Sequence, residues 1–365
     1  MATTPLHDVL QAGVDEGASD WHIREGQNVG VRINGELGEI EFQTDYDFLS
    51  WVVNEIVSDK QMQYYYENGD LDFAFREEGV GRFRANLHRQ RGSMSLTLRH
   101  VKDDIPSLDV LHLPRKIHEL AESRQGIVFV AGMTGAGKST TLASMIEHIN
   151  ETSGKHIITI EDPIEYSFTD RDSVIEQREV GIDTVSFNSA LVHVMRQDPD
   201  VIVIGEMRDR TSFETAISAA ETGHLVMATI HTTSASQALI RLTDMYEQDE
   251  RESIRQSLAG TTRGVICQEL VARANGKGLV PALEIMINTP IVSKLISEGN
   301  FDKLEQAIAG GEKDGMISFN RSLHKLVQDG MISQKTALAV SHNPEALKMV
   351  LKGIRLSSDE GQILE

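Results

Sequence analysis

The chain has 365 residues, 40% hydrophobic and 25% charged, which excludes disorder over its length and suggests two or three domains at about 100–200 residues each. No apolar run reaches the roughly 18 residues of a membrane-spanning helix, and the single cysteine, Cys267, excludes an intrachain disulfide and a multi-cysteine metal site. Thirty-five Lys and Arg against 55 Asp and Glu leave a net charge of −20, which weighs against nucleic acid, since its binders neutralise phosphates with basic side chains. The start has no basic stretch followed by an apolar one, so the expected location is the cytoplasm.

In chain order, the first hundred residues read as a mixed α/β unit. Val29 to Ile33, then Asn34-Gly35, then Glu36 to Ile40 is a hairpin signal, because Asn-Gly supplies the two positive φ values of a tight turn. Thr44 to Val57 places Phe48, Leu49, Val52, Val53, Ile56 and Val57 on one helical face. Leu71 to Phe75, Gly81 to His88 and Ser93 to Val101 read as strands, and Lys102 to Pro114, with two prolines, as a linker. From Gly126 on, Ile127–Val130, His156–Ile160, Val201–Ile204 and Leu225–Ile230 are short apolar runs rich in β-branched residues. Strands of a parallel sheet buried on both faces read this way. Helical patterns lie between them, at Lys138 to Ile149, Phe187 to Met195 and Thr211 to Thr222. The last reads as opening on a Thr211-x-x-Glu214 capping box. The alternation predicts a doubly wound, largely parallel sheet, and from Pro290 the pattern is helical.

Gly132-Met-Thr134-Gly135-Ala136-Gly137-Lys138-Ser139 matches G-x-x-x-x-G-K-[ST] in full, directly after a buried strand and before a helix. Glycines let backbone N–H groups turn around a phosphate, and the helix start adds partial positive charge. Lys138 is then expected to reach the β- and γ-phosphates of ATP and the Ser139 hydroxyl to ligate Mg²⁺, with Thr140 completing the cradle. Acidic clusters end two other strands: Glu161-Asp162-Pro163-Ile164-Glu165 and Gly205-Glu206. The second has the shape of a Walker B strand, with Glu206 expected near the metal shell. His224 and His231 bracket one further strand, with His231 at the end where ligands bind in such sheets.

Together with Gln177-Arg-Glu-Val-Gly181, Ala220-Glu-Thr-Gly-His224 and Thr229-Ile-His231-Thr, these motifs resemble the Walker A, Asp box, Walker B and His box of the secretion-ATPase superfamily. The pattern is most similar to the type IV pilus retraction ATPases, the PilT/PilU family, and Gly17-Ala-Ser-Asp-Trp21-His22 and Gly81-Arg-Phe-Arg84 fit as well. The resemblance implies a PAS-like N-terminal α/β domain (1–101), a linker (102–114), a RecA-like P-loop ATPase domain (115–289) and a small helical C-terminal segment (290–365). It implies a homohexamer using ATP and Mg²⁺, with an inner-membrane pilus platform protein and a paralogous retraction ATPase as partners. By position it gives Glu165 the catalytic role, Glu206 the Walker B role and His231 the phosphate-facing role. Arg84 and Arg99 match arginines that approach the nucleotide. The family's Ala-Ile-Arg-Asn-Leu-Ile-Arg-Glu motif is Ile291 to Glu298 here, with Ser293 and Ser297 where it has arginine. The alternatives are an accessory retraction ATPase or a pilus or type II secretion assembly ATPase. The latter usually carries a four-cysteine zinc insertion that one cysteine cannot build.

Overall fold

The computed structural model describes residues 4–33 and 35–352. The chain divides into two units, Met1–Asp104 with Ile164–Ser167, and Ile105–Pro163 with Phe168–Glu365.

The first unit runs α1 (Pro5–Asp15), β1 (Ala18–Arg24), β2 (Asn28–Ile33), β3 (Glu36–Gln43), α2 (Tyr46–Ile56), α3 (Asp59–Asn68), β4 (Asp70–Glu77), β5 (Gly81–Gln90) and β6 (Ser93–Val101). Its six strands form an antiparallel sheet in the order β3-β2-β1-β6-β5-β4. In the expected hairpin, Ile33 pairs with Glu36 as a two-residue turn requires, and Gly35 has φ +87°. Asn34 of that turn lies outside the described residues. Alternation sorts the faces: Phe83 and Leu87 of β5 and Leu96 and Leu98 of β6 join Leu6 and Leu10 of α1 and Leu49 and Val53 of α2 in one core. Trp21 is fully buried in it, donating its indole N–H to the Val9 carbonyl at 3.3 Å. Gly13 makes the room, since a Cβ there would lie 2.5 Å from the indole ring.

The second unit contains α4 (Arg115–Ala121), β7 (Gly126–Ala131), α5 (Lys138–Thr152), β8 (His156–Glu161), β9 (Val174–Glu179), α6 (Phe187–Val194), β10 (Val201–Ile204), α7 (Arg210–Glu221), β11 (Leu225–Ile230), α8 (Ala235–Thr243), α9 (Arg251–Thr261), β12 (Thr262–Ala272) and β13 (Leu279–Ile287). Helices α10 (Pro290–Glu298), α11 (Leu304–Gly310), α12 (Phe319–Gln328), α13 (Gln334–Val340) and α14 (Pro344–Leu351) follow. The seven-stranded sheet has the order β13-β12-β7-β11-β10-β8-β9. It is parallel except for β13, which runs antiparallel to β12. Each central strand is buried on both faces. Phe129, Ile160 and Ile204 pack with α6 to α9 on one side, and Val128, Val130 and Val203 with α4 and α5 on the other.

Three features depart from the sequence reading. Strands β9, β12 and β13 extend the sheet beyond the four apolar runs. Helix α7 does not open on a Thr211 capping box: the Asp209 side chain caps it, accepting from Ser212 N–H at 2.8 Å, and Glu214 instead accepts from Arg210 at 2.7 Å. Asp209 prevails because it stands at the N-cap with extended backbone, from which its carboxylate reaches the Ser212 amide where the helix dipole favours negative charge, whereas Thr211 is already inside the first turn. Finally, α10 belongs to the main core, to which it contributes Val292 and Ile296, whereas α12 to α14 pack around Val271, Val280 and Ala282 of β12 and β13.

Candidate active site

The glycine-rich loop leaves the C-terminal end of β7, in the interior of the sheet. Gly132 (φ +155°) has no space for a side chain, since a Cβ would lie 2.6 Å from the Gln268 carbonyl and 2.8 Å from Ala136. Gly137 (φ +81°) caps α5 in the left-handed region, with Gln268 Nε2 2.8 Å from where its Cβ would be. The loop is therefore packed tightly against Gln268 of β12. Lys138 is buried, and its Nζ donates to the carbonyls of Gly132 at 2.8 Å and Met133 at 3.2 Å. Thr134 and Gly135 are exposed, Ala136 is buried, and Ser139 and Thr140 are partly exposed on the first turn of α5. A cramped loop of left-handed glycines, a helix start and a lysine turned over the loop together fit a phosphate chain, and Ser139 supplies the oxygen donor a hard divalent cation takes.

Glu206 lies just past β10, where the chain is tied to both neighbouring strands. Gly205 N–H donates to the Ile160 carbonyl at 2.8 Å, Met207 N–H to the Thr229 carbonyl at 3.0 Å, and the Thr229 hydroxyl to the Gly205 carbonyl at 2.5 Å. One Glu206 oxygen accepts from Arg208 Nε at 2.7 Å, and the other is 3.3 Å from His231 Nε2. Arg208 also reaches Asp162 at 3.3 Å, so a single guanidinium joins the acidic ends of β8 and β10. Its hydrogen bond to Glu206 raises the Arg208 pKa further above its ordinary value. Glu161 is turned elsewhere, accepting from Thr159 at 2.6 Å and from Gln177 at 3.1 Å. His224 sits at the opposite end of β11, where its Nδ1–H donates to the Ala219 carbonyl at 2.9 Å and closes the end of α7.

The remaining candidates belong to the first unit. Arg84 and Arg99 are cross-strand partners on β5 and β6, and Asp20 on β1 is in register with Arg99 on its other side. Arg99 Nε donates to Asp20 at 2.7 Å, which offsets the repulsion between two arginines set opposite each other. Burial pushes the Asp20 pKa up, but hydrogen bonds from Ser19 and Arg99, with the Arg99 charge, outweigh it and hold the carboxyl below its ordinary range. Glu165 is exposed in Ile164–Ser167, the short stretch of the acidic cluster that belongs to this unit. There, Ser167 N–H donates to the Lys102 carbonyl at 2.9 Å.

The structure thus places the P-loop, Glu206 and His231 at the C-terminal ends of three adjacent strands of one sheet, and Arg84, Arg99 and Glu165 in the other unit. Three supporting residues escaped the sequence reading. Gln268 braces the P-loop, accepting from the Thr141 hydroxyl and donating to the Ala136 carbonyl, both at 2.7 Å. Its signal was a lone amide after the apolar run Val265–Cys267. Asp20 stood inside the Gly17–His22 motif with no role attached, and Arg208 lies two residues past Glu206.

A glycine-rich loop between a buried parallel strand and a helix, with a carboxylate and a histidine at the ends of two further strands of that sheet, defines a P-loop nucleotide-binding protein. This chain belongs to the Type II/IV secretion system protein family, whose pattern matches residues 3–289. It is 35% identical to "Type IV pilus ATPase PilU" of Pseudomonas aeruginosa, over 94% of this chain and 90% of that protein. It is 36% identical to "Type IV pilus retractation ATPase PilT" of the same organism, over 93% and 99%. Among solved structures, the pilus retraction motor PilT with bound ADP superposes with a TM-score of 0.85 at 41% identity, covering 95% of this chain and 99% of that one. No helix among the described residues is long and apolar enough to cross a membrane.

Proposed function

We propose that this chain is a cytoplasmic ATPase that assembles as a homohexamer and powers retraction of a type IV pilus, acting on an inner-membrane platform protein. The observation that carries this reading is the shared C-terminal end of one sheet: the Lys138 loop follows β7, His231 follows β11 and Glu206 follows β10, three adjacent strands. Likeness to pilus retraction ATPases over nearly the whole chain supports the choice of substrate and machine.

Phosphoryl transfer to water depends on positioning and on neutralising charge. Lys138 and the loop amides hold the phosphates, and Ser139 holds Mg²⁺, which when bound offsets phosphate charge. Glu206, fixed between Arg208 and His231, supports that metal shell, and His231 faces the γ-phosphate. Arg84 and Arg99 bring further positive charge, and Glu165 orients the attacking water. Steady-state hydrolysis tests these roles. Glu165→Gln keeps ATP binding and lowers turnover by about 10²–10⁴-fold, the range for a lost general base. Near-normal turnover in that variant, with Glu206→Gln binding but not turning over, would reverse the two roles.

One feature favours an accessory retraction ATPase working beside a paralogue. Ser293 donates to the Ala259 carbonyl at 3.1 Å and Ser297 to the Lys294 carbonyl at 2.9 Å. Both hydroxyls are thus satisfied locally, and α10 lacks the two cations the family motif carries there.

A further inference from the structure

Strand β13 is apolar through Val280, Ala282, Leu283, Ile285 and Met286, yet in their midst Glu284 is buried, only 7% exposed. An apolar residue would be cheaper at such a site, because a buried carboxylate gives up its hydration. Its partners indicate what it holds. One carboxylate oxygen accepts from the Ala235 N–H at 2.8 Å, a buried hydrogen bond across 49 residues of sequence. Ala235 opens α8, so the carboxylate satisfies one of the amides a helix start leaves without an internal partner, at its positive end. Ser234 already caps the amide of Gln237. Across the strand pair, Glu284 is in register with the fully buried Cys267. Burial raises the pKa values of both groups; for Glu284 the hydrogen bond from Ala235 works against that rise and the nearby Glu305 charge adds to it.

Only three residues separate Ala235 from His231. The other end of the same turn is held by Arg241, which donates to the His231 carbonyl at 3.0 Å. Gln268, next to Cys267 on β12, braces the P-loop. One strand pair therefore anchors both the phosphate loop and the turn that presents His231 to Glu206.

We propose that Glu284 is a positioning residue for His231: through the Ala235 amide its carboxylate fixes the start of α8, and with it the His231–Ser234 turn, against the β12–β13 pair. This rests on the role given to His231 above. The test is steady-state ATP hydrolysis by the full-length protein, with kcat and KM measured separately. Glu284→Gln keeps an oxygen acceptor and stays within about twofold of wild type. Glu284→Met fills the site without accepting, and lowers kcat about tenfold while KM for ATP moves less than about twofold. In a His231→Ala background, Glu284→Met then has no further effect on kcat, because the two act as one unit. Should Glu284→Met fail to fold, Glu284→Leu is compared with Glu284→Gln in the same way. The proposal falls if the apolar variant keeps full kcat, if Glu284→Gln is as impaired as the apolar variant, if KM rises in step with the loss, or if the loss is undiminished without His231. Full kcat in His231→Ala alone would instead remove the role given to His231.

Discussion

Gln268 joins groups that the sequence keeps far apart. Its partner Thr141 is 127 residues away, and both ends of the amide are engaged in a buried setting beside the loop. Gln268→Leu leaves the Ala136 carbonyl and the Thr141 hydroxyl without those partners. At about 1–3 kcal/mol for each buried unsatisfied group, urea unfolding is expected to register a clear loss, and calorimetry a weaker affinity for ADP. Asp20 gives a pH-dependent counterpart. Its folded pKa is depressed below the ordinary 3.8, so its stabilising contribution is present above that value and is lost as pH falls through the folded one. Unfolding measured at neutral pH and again below about pH 4 is expected to show wild type losing more stability on acidification than Asp20→Asn. Equal losses would mean that the Arg99 pair stabilises nothing. The P-loop was legible because its chemistry sits in eight consecutive residues, and Glu206 and His231 because each directly follows a buried strand. Gln268 and the Asp20–Arg99 pair were not, because their roles exist only once distant strands are in register.

Where elements were missed, local punctuation was lacking. Helix α9 ends at Thr261 and β12 begins at Thr262 with no loop residue between them, and the glycines that would mark a break, Gly260 and Gly264, lie inside the helix and the strand. Strand β9 is an edge strand whose Glu176, Gln177, Arg178 and Glu179 carry none of the apolar signal of the central strands. The central strands were legible for the converse reason, since burial on both faces demands continuous apolar residues. Helix α7 turned on one cap. Because the Asp209 side chain holds the Ser212 amide, Asp209→Ala is expected to cost about 0.5–2 kcal/mol in chemical unfolding. Thr211→Ala removes only a residue inside the first turn and is expected to cost less. The reverse order would restore Thr211 as the cap.

At the scale of the whole molecule, the proposed roles are divided between the two units. Lys138, Ser139, Glu206 and His231 belong to one, and Arg84, Arg99 and Glu165 to the other. A net charge of −20 weighs against nucleic acid as the recipient of its work. Retraction and assembly motors share the P-loop chemistry, so hydrolysis alone does not separate them. The direction of pilus movement does. The most direct measurement is to delete the gene in its own bacterium and count surface pili alongside twitching motility, with wild-type and Glu165→Gln copies returned in parallel. Retraction predicts abundant surface pili without motility, restored to normal by the wild-type copy and not by Glu165→Gln. Loss of surface pili on deletion would contradict it and identify an assembly motor instead.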